Sequence, residues 1–187
     1  MKSRMIRPAV LAVLLVLLVS GSVPILAGAS SAPDTRASEG YSDLVGYGTS
    51  WVPQSRSKFS AWRPMGWGIE AKVKAAGVGD QWVHIPIPFM SVEEGTGMKV
   101  AYVEFCAQSS NGAATKPVRM HLRSEGGAVG IFGDQAVVWA ANNNRQCFGI
   151  NLSPPVWKES LGVSVLVHFA NTSDMITLYK AWVHLVP

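Results

Sequence analysis

At 187 residues, 48% hydrophobic and 15% charged, the chain is long enough to bury one sizeable core and carries no run of like charges that would form an acidic or basic tail. Its formal charge of +4 is set by 16 Lys and Arg against 12 Asp and Glu. Three of the basic residues (Lys2, Arg4 and Arg7) sit at the extreme N-terminus. Without them the balance is close to neutral, which excludes the basic patch that a nucleic-acid-binding protein needs.

Residues 1–29 read as a secretory signal peptide. The three basic residues precede an apolar run from Ala9 to Val19, which is shorter than the roughly 20 residues of a spanning helix. Ser20-Gly21-Ser22-Val23-Pro24 breaks the run, and Ala27-Gly28-Ala29 has the small-x-small pattern of a cleavage site. An uncleaved membrane anchor is the alternative, because apolar residues resume as far as Leu26. No cysteine follows the apolar run, so a lipoprotein anchor is excluded. Cleavage places the mature chain outside the cell or in the periplasm, with no membrane span left.

Residues 30–44, SSAPDTRASEGYSDL, are small and polar and are expected to be a flexible leader. Residues 45–187 are expected to form a single domain. Period-2 alternation dominates it. Ile69, Ala71 and Val73 alternate with Glu70, Lys72 and Lys74. Gly77-Val78-Gly79-Asp80 turns the chain into Gln81–Pro88. Met98 to Ala107 is a long strand, and Val118, Met120 and Leu122 alternate with Arg119, His121 and Arg123. Shorter candidates are 128–132, 135–140 and 146–152. Leu161, Val163, Val165, Val167 and Phe169 share one face of a strand, the polar turn Asn171-Thr172-Ser173-Asp174 follows, and a last strand runs from Met175 to Val186, so that the last two strands read as a hairpin. No stretch after residue 29 has sustained helical periodicity. The pattern predicts an all-β fold, an antiparallel β-sandwich of the jelly-roll kind with about eight or nine strands.

The stretch WVHIPIPFM, from Trp82 to Met90, is strand-like yet holds Pro86 and Pro88. Alternate residues of a strand turn their backbone N–H groups to the same side, so both prolines strip donors from one edge and leave Ile85 and Ile87 to pair on the other. This predicts an edge strand blocked on its open side against edge-to-edge association. Val83, Ile85 and Ile87 then face the core, and Trp82 and His84 share the opposite face.

Cys106 and Cys147 are expected to form a disulfide, since the chain is bound for an oxidising compartment and has no CxxC. Catalytic and metal constellations are missing from the spacing. His84, His121, His168 and His184 form no HExxH or HxH. Gly162-Val163-Ser164-Val165 lacks the second glycine of a nucleophile elbow. Glu93 and Glu94 are adjacent and point apart, and Glu70 and Glu104 alternate with apolar residues as solvent-facing pleats do. Asn142-Asn143-Asn144 is a loop without a calcium motif. No cofactor is expected.

The aromatic residues carry the remaining signal. A tryptophan ring stacks on the apolar face of a sugar, and its N–H supplies a polar handle. Trp51, Trp62 and Trp67 lie in the Gly/Ser/Pro-rich segment GTSWVPQSRSKFSAWRPMGWG, and binding residues concentrate on such loops. The candidate ligand-binding residues are Trp51, Trp67, Trp82 and His84.

Gly66-Trp67-Gly68, Trp82 and His84 followed by Ile87-Pro88, and the late strand from Val163 to Phe169 together resemble an uncharacterised bacterial family of small β-sandwich proteins, a domain of unknown function. The resemblance spans about residues 47–186. It implies a β-sandwich and supplies no activity.

These readings predict a secreted, non-enzymatic module that binds a glycan or another surface ligand. The alternatives are a structural or protein-interaction module of the cell envelope and, third, an enzyme acting on polysaccharide.

Overall fold

The computed structural model describes residues 42–88, 92–93, 96–124 and 130–187. The expected signal peptide lies outside them, as do most of the expected leader, Phe89, Met90 and Glu94. The described residues form the strands β1 (Ser42–Gly46), β2 (Val52–Pro53), β3 (Phe59–Met65), β4 (Gly68–Val73), β5 (Gly79–Ile87), β6 (Val92–Glu93), β7 (Thr96–Gly97), β8 (Lys99–Ser109), β9 (Lys116–Arg123), β10 (Ile131–Ala136), β11 (Gln146–Trp157), β12 (Leu161–Phe169) and β13 (Ile176–Val186). The longer strands match the number expected. The additional β1, β2, β6 and β7 have two to five residues, too few for alternation to register. The chain joins the sheet at Ser42, inside the segment expected to be a leader.

The strands make two antiparallel sheets. The first has the order β11-β8-β13-β4-β3, with β1 also on β13. The second runs β10-β9-β12-β5-β2, and β6 and β7 pair separately. The inner faces meet in one apolar core. Leu161, Val163, Val165, Val167 and Phe169 of β12 meet Val103 and Phe105 of β8 and Leu178, Ala181 and Val183 of β13. Phe59 of the first sheet packs edge-on against Phe169 of the second at 5.9 Å. This is an antiparallel β-sandwich, as the alternation predicts.

The last two long strands are not a hairpin. β12 lies in the second sheet, between β5 and β9, and β13 lies in the first. Both present one fully apolar face, and crossing between layers buries both faces on each other's sheet. The turn that makes the crossing is tied by Asp174, which accepts hydrogen bonds from Thr115 Oγ1 at 2.6 Å and Asn171 Nδ2 at 3.0 Å.

β13 organises the first sheet. Along one side it pairs with β8. Along the other it pairs with β4 over Ile176–Leu178 and with β1 over Ala181–Leu185. Tyr179 and Lys180 fall between the two partners, in a bulge against β8. The GWG turn fills this gap. A Cβ at Gly68 would run into the Leu178 carbonyl, so only glycine lets the turn close on β13.

β5 stands one strand in from the edge, because Val52–Pro53 pairs with Val83 and His84. The Gln54 N–H donates to the Trp82 carbonyl at 3.0 Å, which turns the backbone groups of Trp82, His84 and Pro86 towards that side. Pro86 therefore lacks a donor on the side that β2 leaves open, while Ile85 and Ile87 pair with β12. Val83, Ile85 and Ile87 are buried, as expected.

Cys106 and Cys147 face each other directly across β8 and β11 and are joined by a disulfide, at a sequence separation of 41. The bridge lies on the outer face of the first sheet. The chain-entropy model assigns such a loop about 4 kcal/mol. Urea denaturation of the Cys106→Ala/Cys147→Ala variant is expected to show a loss of that order, and a loss under about 1 kcal/mol would show that the sheet alone holds the two strands.

Candidate functional site

The outer face of the first sheet carries an aromatic pair, of which one ring is exposed and the other half-buried. The turn between β3 and β4 projects Trp67, which is 49% exposed. Its ring stacks on Tyr179 of the β13 bulge at 5.5 Å between centroids and 30° between planes. The Arg145 guanidinium carbon lies 4.3 Å from the Tyr179 ring centroid, a cation–π contact. The Tyr179 hydroxyl donates to Gln108 Oε1 at 2.7 Å, and Gln108 Nε2 donates to the Asn143 carbonyl at 3.0 Å. Asn143 Oδ1 in turn accepts from the Gly112 N–H at 2.8 Å. These bonds hold the loop before β11 against β8 and fix Tyr179 in place.

Two depressions share Trp67 and Tyr179 as a common wall. One, of about 320 Å³, includes the polar side chains of Glu70, Gln108, Asn143 and Thr177 in its lining. The other, of about 530 Å³, is lined by Val45, Tyr47, Arg145 and Lys180. An aromatic ridge flanked by amide, hydroxyl and charged groups presents both components a sugar ring requires: a flat apolar surface and hydrogen-bonding groups around it.

The four sequence candidates are not brought together. Trp67 is on this ridge. Trp51 is not a surface residue: it is 1% exposed, packs edge-on against Phe105 at 6.3 Å, and donates its indole N–H to the Tyr179 carbonyl at 2.5 Å. It supports the ridge from beneath. The polar loop around it suggested exposure, but its ring fills the core under β13. Trp82 and His84 lie on the outer face of the second sheet. The Trp82 ring is nearly parallel to His84 at 6.5 Å and lies 4.6 Å from His121. Tyr47, Arg145, Gln108, Asn143 and Tyr179 were missed. Tyr179 and Lys180 interrupt alternation in β13, which is the one sequence signal that marks the bulge.

The histidines make separate contacts. His84 Nδ1 is 2.8 Å from Ser164 Oγ, His168 pairs with Asp80 at 2.8 Å, and His184 pairs with Asp43 at 2.9 Å. His121 Nε2 lies 3.2 Å from Asp134 Oδ1. Asp134 is itself held below the usual carboxylate range by its hydrogen bonds with Arg119. Glu104 accepts from the Tyr102 hydroxyl at 2.9 Å, and burial followed by this carboxylate pushes Tyr102 up to about 12.

Burial, and then the charge of Arg123, lowers the His84 pKa. Burial is also the largest cause of the lowering at His121, partly opposed by Asp134. In the unfolded chain both imidazoles titrate at about 6.5. As pH falls through that value the unfolded state takes up protons first, so stability declines until the lower folded pKa values are passed. The urea midpoint is expected to fall between pH 7 and pH 5, and a His84→Gln/His121→Gln variant is expected to flatten that slope. An unchanged slope in the variant would assign the acid sensitivity to other groups.

No protein-family model and no curated protein matches the sequence. Among solved structures the chain is similar to the low-affinity xylan-binding module CBM86 from Roseburia intestinalis, with 13% identity, 77% of this chain and 96% of that chain covered, and a TM-score of 0.44. It is similar to TmCBM61, solved with β-1,4-galactotriose, at 12% identity, covering 76% of this chain and 92% of that one, with a TM-score of 0.45. It is also similar to the K3 cleaved adhesin domain of Lys-gingipain from Porphyromonas gingivalis, at 11% identity, covering 78% and 99%, with a TM-score of 0.46.

Proposed function

We propose that this chain is an exported, non-enzymatic glycan-binding module whose sugar-binding surface is the ridge formed by Trp67 and Tyr179. The observation that carries the reading is the half-exposed Trp67 ring, backed by Tyr179 and standing between two depressions lined with polar side chains. A pyranose ring lays its C–H face on Trp67, and its hydroxyls meet Glu70 and Asn143 on one side and Arg145 and Lys180 on the other. Tyr179 is braced on three sides, by Trp51 through its carbonyl, by Gln108 through its hydroxyl and by Arg145 over its ring, so the platform is ordered before a ligand arrives.

Glu70 is the single carboxylate among the residues lining the two depressions, so the facing pair that glycoside hydrolysis uses is not assembled there. Binding without cleavage fits that surface. Export rests on the N-terminal pattern of basic residues, apolar run and small-residue site, and it places the module where polysaccharide is met.

The test is retention on a panel of neutral polysaccharides, by affinity electrophoresis for soluble ones and pull-down for insoluble ones. Retention by at least one of them, with intact chains recovered afterwards, is the expected result. No retention on any member of the panel would sink the reading.

A further inference from the structure

The two depressions beside Trp67 differ in charge. The smaller carries Glu70. The larger carries Arg145 and Lys180, and among the described residues no carboxylate lines it. Trp67 and Tyr179 are the wall between them, so the ridge has an acidic flank and a cationic flank. The rest of the chain is close to balanced once Lys2, Arg4 and Arg7 are set aside, so the pair of cations is a local feature and not a share of a bulk charge.

Each cation is placed there by the fold. In a regular strand Tyr179 and Lys180 would point to opposite faces. The β13 bulge re-aims the chain, and both line the same depression. Arg145 is placed by its loop. Gln146 closes that loop with its side chain, accepting from the Ala140 N–H at 3.0 Å and donating to the Ala140 carbonyl at 2.9 Å. The Asn144 N–H donates to Asn142 Oδ1 at 2.9 Å, and Cys147 just beyond is tied to β8 by the disulfide. The Arg145 guanidinium then rests on the Tyr179 ring. A cation–π contact holds the charge without using an N–H donor as a hydrogen bond does. Among the described residues, no hydrogen bond or ion pair engages the side chain of Arg145 or Lys180. A third aromatic ring stands at the same place. A Cβ at Gly48 would strike the Trp67 carbonyl, so the segment Tyr47–Gly48 is pressed against the GWG turn, and Tyr47, 72% exposed, lines the depression.

We infer that the ridge takes an acidic polysaccharide, with a sugar ring on Trp67 and the anionic group of that sugar directed to Arg145 and Lys180. The inference rests on the reading of the ridge as a glycan-binding surface and adds the class of glycan. The guanidinium fork matches the paired oxygens of an oxyanion, and the ammonium of Lys180 adds a second charge beside it. Glu70 repels an anion from the opposite flank, so the ligand lies one way across the ridge. The volume of the cationic depression is within the usual range for small-ligand sites.

The anionic group is a carboxylate or a sulfate ester, and two matched pairs of probes separate them. The first pair is an α-1,4-linked oligogalacturonate and the same oligosaccharide with its carboxyl groups reduced to alcohols. The second is a sulfated galactan oligosaccharide and its desulfated form. Binding is measured by calorimetry at low salt. The charged member of at least one pair is expected to bind at least about tenfold more tightly than its neutral partner. That advantage is expected to shrink as salt is raised towards about 1 M. Lys180→Gln and Arg145→Gln are each expected to cut it at least about threefold. Lys180→Gln carries the test if the loss of Arg145 also loosens Tyr179. Lys74→Gln removes the same charge at the end of β4 away from the GWG turn and is expected to leave the advantage unchanged. Equal binding of charged and neutral members in both pairs, no binding by any of the four, or an advantage that survives in a folded Arg145→Gln/Lys180→Gln variant would each overturn the inference. Equal binding that Trp67→Ala abolishes would overturn the acidic preference alone and leave the ridge in place. Binding that Trp67→Ala leaves unchanged would remove the ridge, and the inference with it.

Discussion

Trp67→Ala is expected to abolish retention on the polysaccharide that the protein binds, while changing folding stability by less than about 1 kcal/mol. The two effects separate because of where the ring sits. Half of it is in solvent, and its buried contact is one stacking partner, Tyr179, which keeps its other braces when the indole is removed. A tryptophan at the centre of a binding surface commonly contributes at least about 2 kcal/mol, close to thirtyfold in affinity. Trp67→Phe keeps a smaller flat surface and is expected to retain part of the affinity. Tyr179→Ala removes the backing and is expected to weaken binding as well, with a larger stability loss because the Gln108 bond goes with it. Full affinity in a folded Trp67→Ala variant would remove the ridge from the account.

Trp51→Ala has the largest expected effect on the fold. The residue is enclosed, with an aromatic partner in Phe105 and a hydrogen bond to β13. Truncating a core tryptophan leaves a cavity, and losses of about 3–5 kcal/mol are usual. Urea denaturation is expected to show a loss in that range. Trp51→Phe separates the two contributions. It keeps most of the apolar volume but leaves the Tyr179 carbonyl without its donor, at a cost of about 1–3 kcal/mol if that carbonyl stays buried. Because this bond anchors the bulge beneath Tyr179, Trp51→Phe is also expected to loosen the platform and weaken glycan binding, although Trp51 touches no ligand. A Trp51→Ala loss below about 1 kcal/mol would mean that the core closes around the deletion.

Much of the architecture was legible because it follows from period-2 patterning and partition. The alternation in β4, β9 and β12 marks the buried faces, with Ile69, Ala71, Met120, Leu122 and Val163 all in the core. The pairing of Cys106 with Cys147 follows from compartment and count, and the proline argument identifies the open side of β5. What was not legible depends on the third dimension. The alternation in β12 and β13 shows that each strand has a buried face and does not show which layer receives it, so a crossing between sheets looked like a hairpin. The four short strands β1, β2, β6 and β7 have too few residues to carry a period. The site was legible only in part. Trp67 lies in a glycine-flanked turn and reads as exposed, but Trp51 lies in the same polar segment and is buried, because burial is decided by the β13 partner exchange and not by local composition. Tyr179, the second half of the ridge, is set apart only by a lapse in alternation that becomes meaningful once β4 and β1 are seen to share one side of β13.

The seven tryptophans supply seven indole N–H reporters, distributed over both sheets and the core. An indole ¹⁵N–¹H titration with a neutral oligosaccharide from the retained polysaccharide tests the central claim most directly. The account predicts that the Trp67 signal shifts most, saturates with the calorimetric affinity and leaves Trp82 unmoved. A saturating titration in which Trp67 stays still, or in which Trp82 moves most, would contradict it.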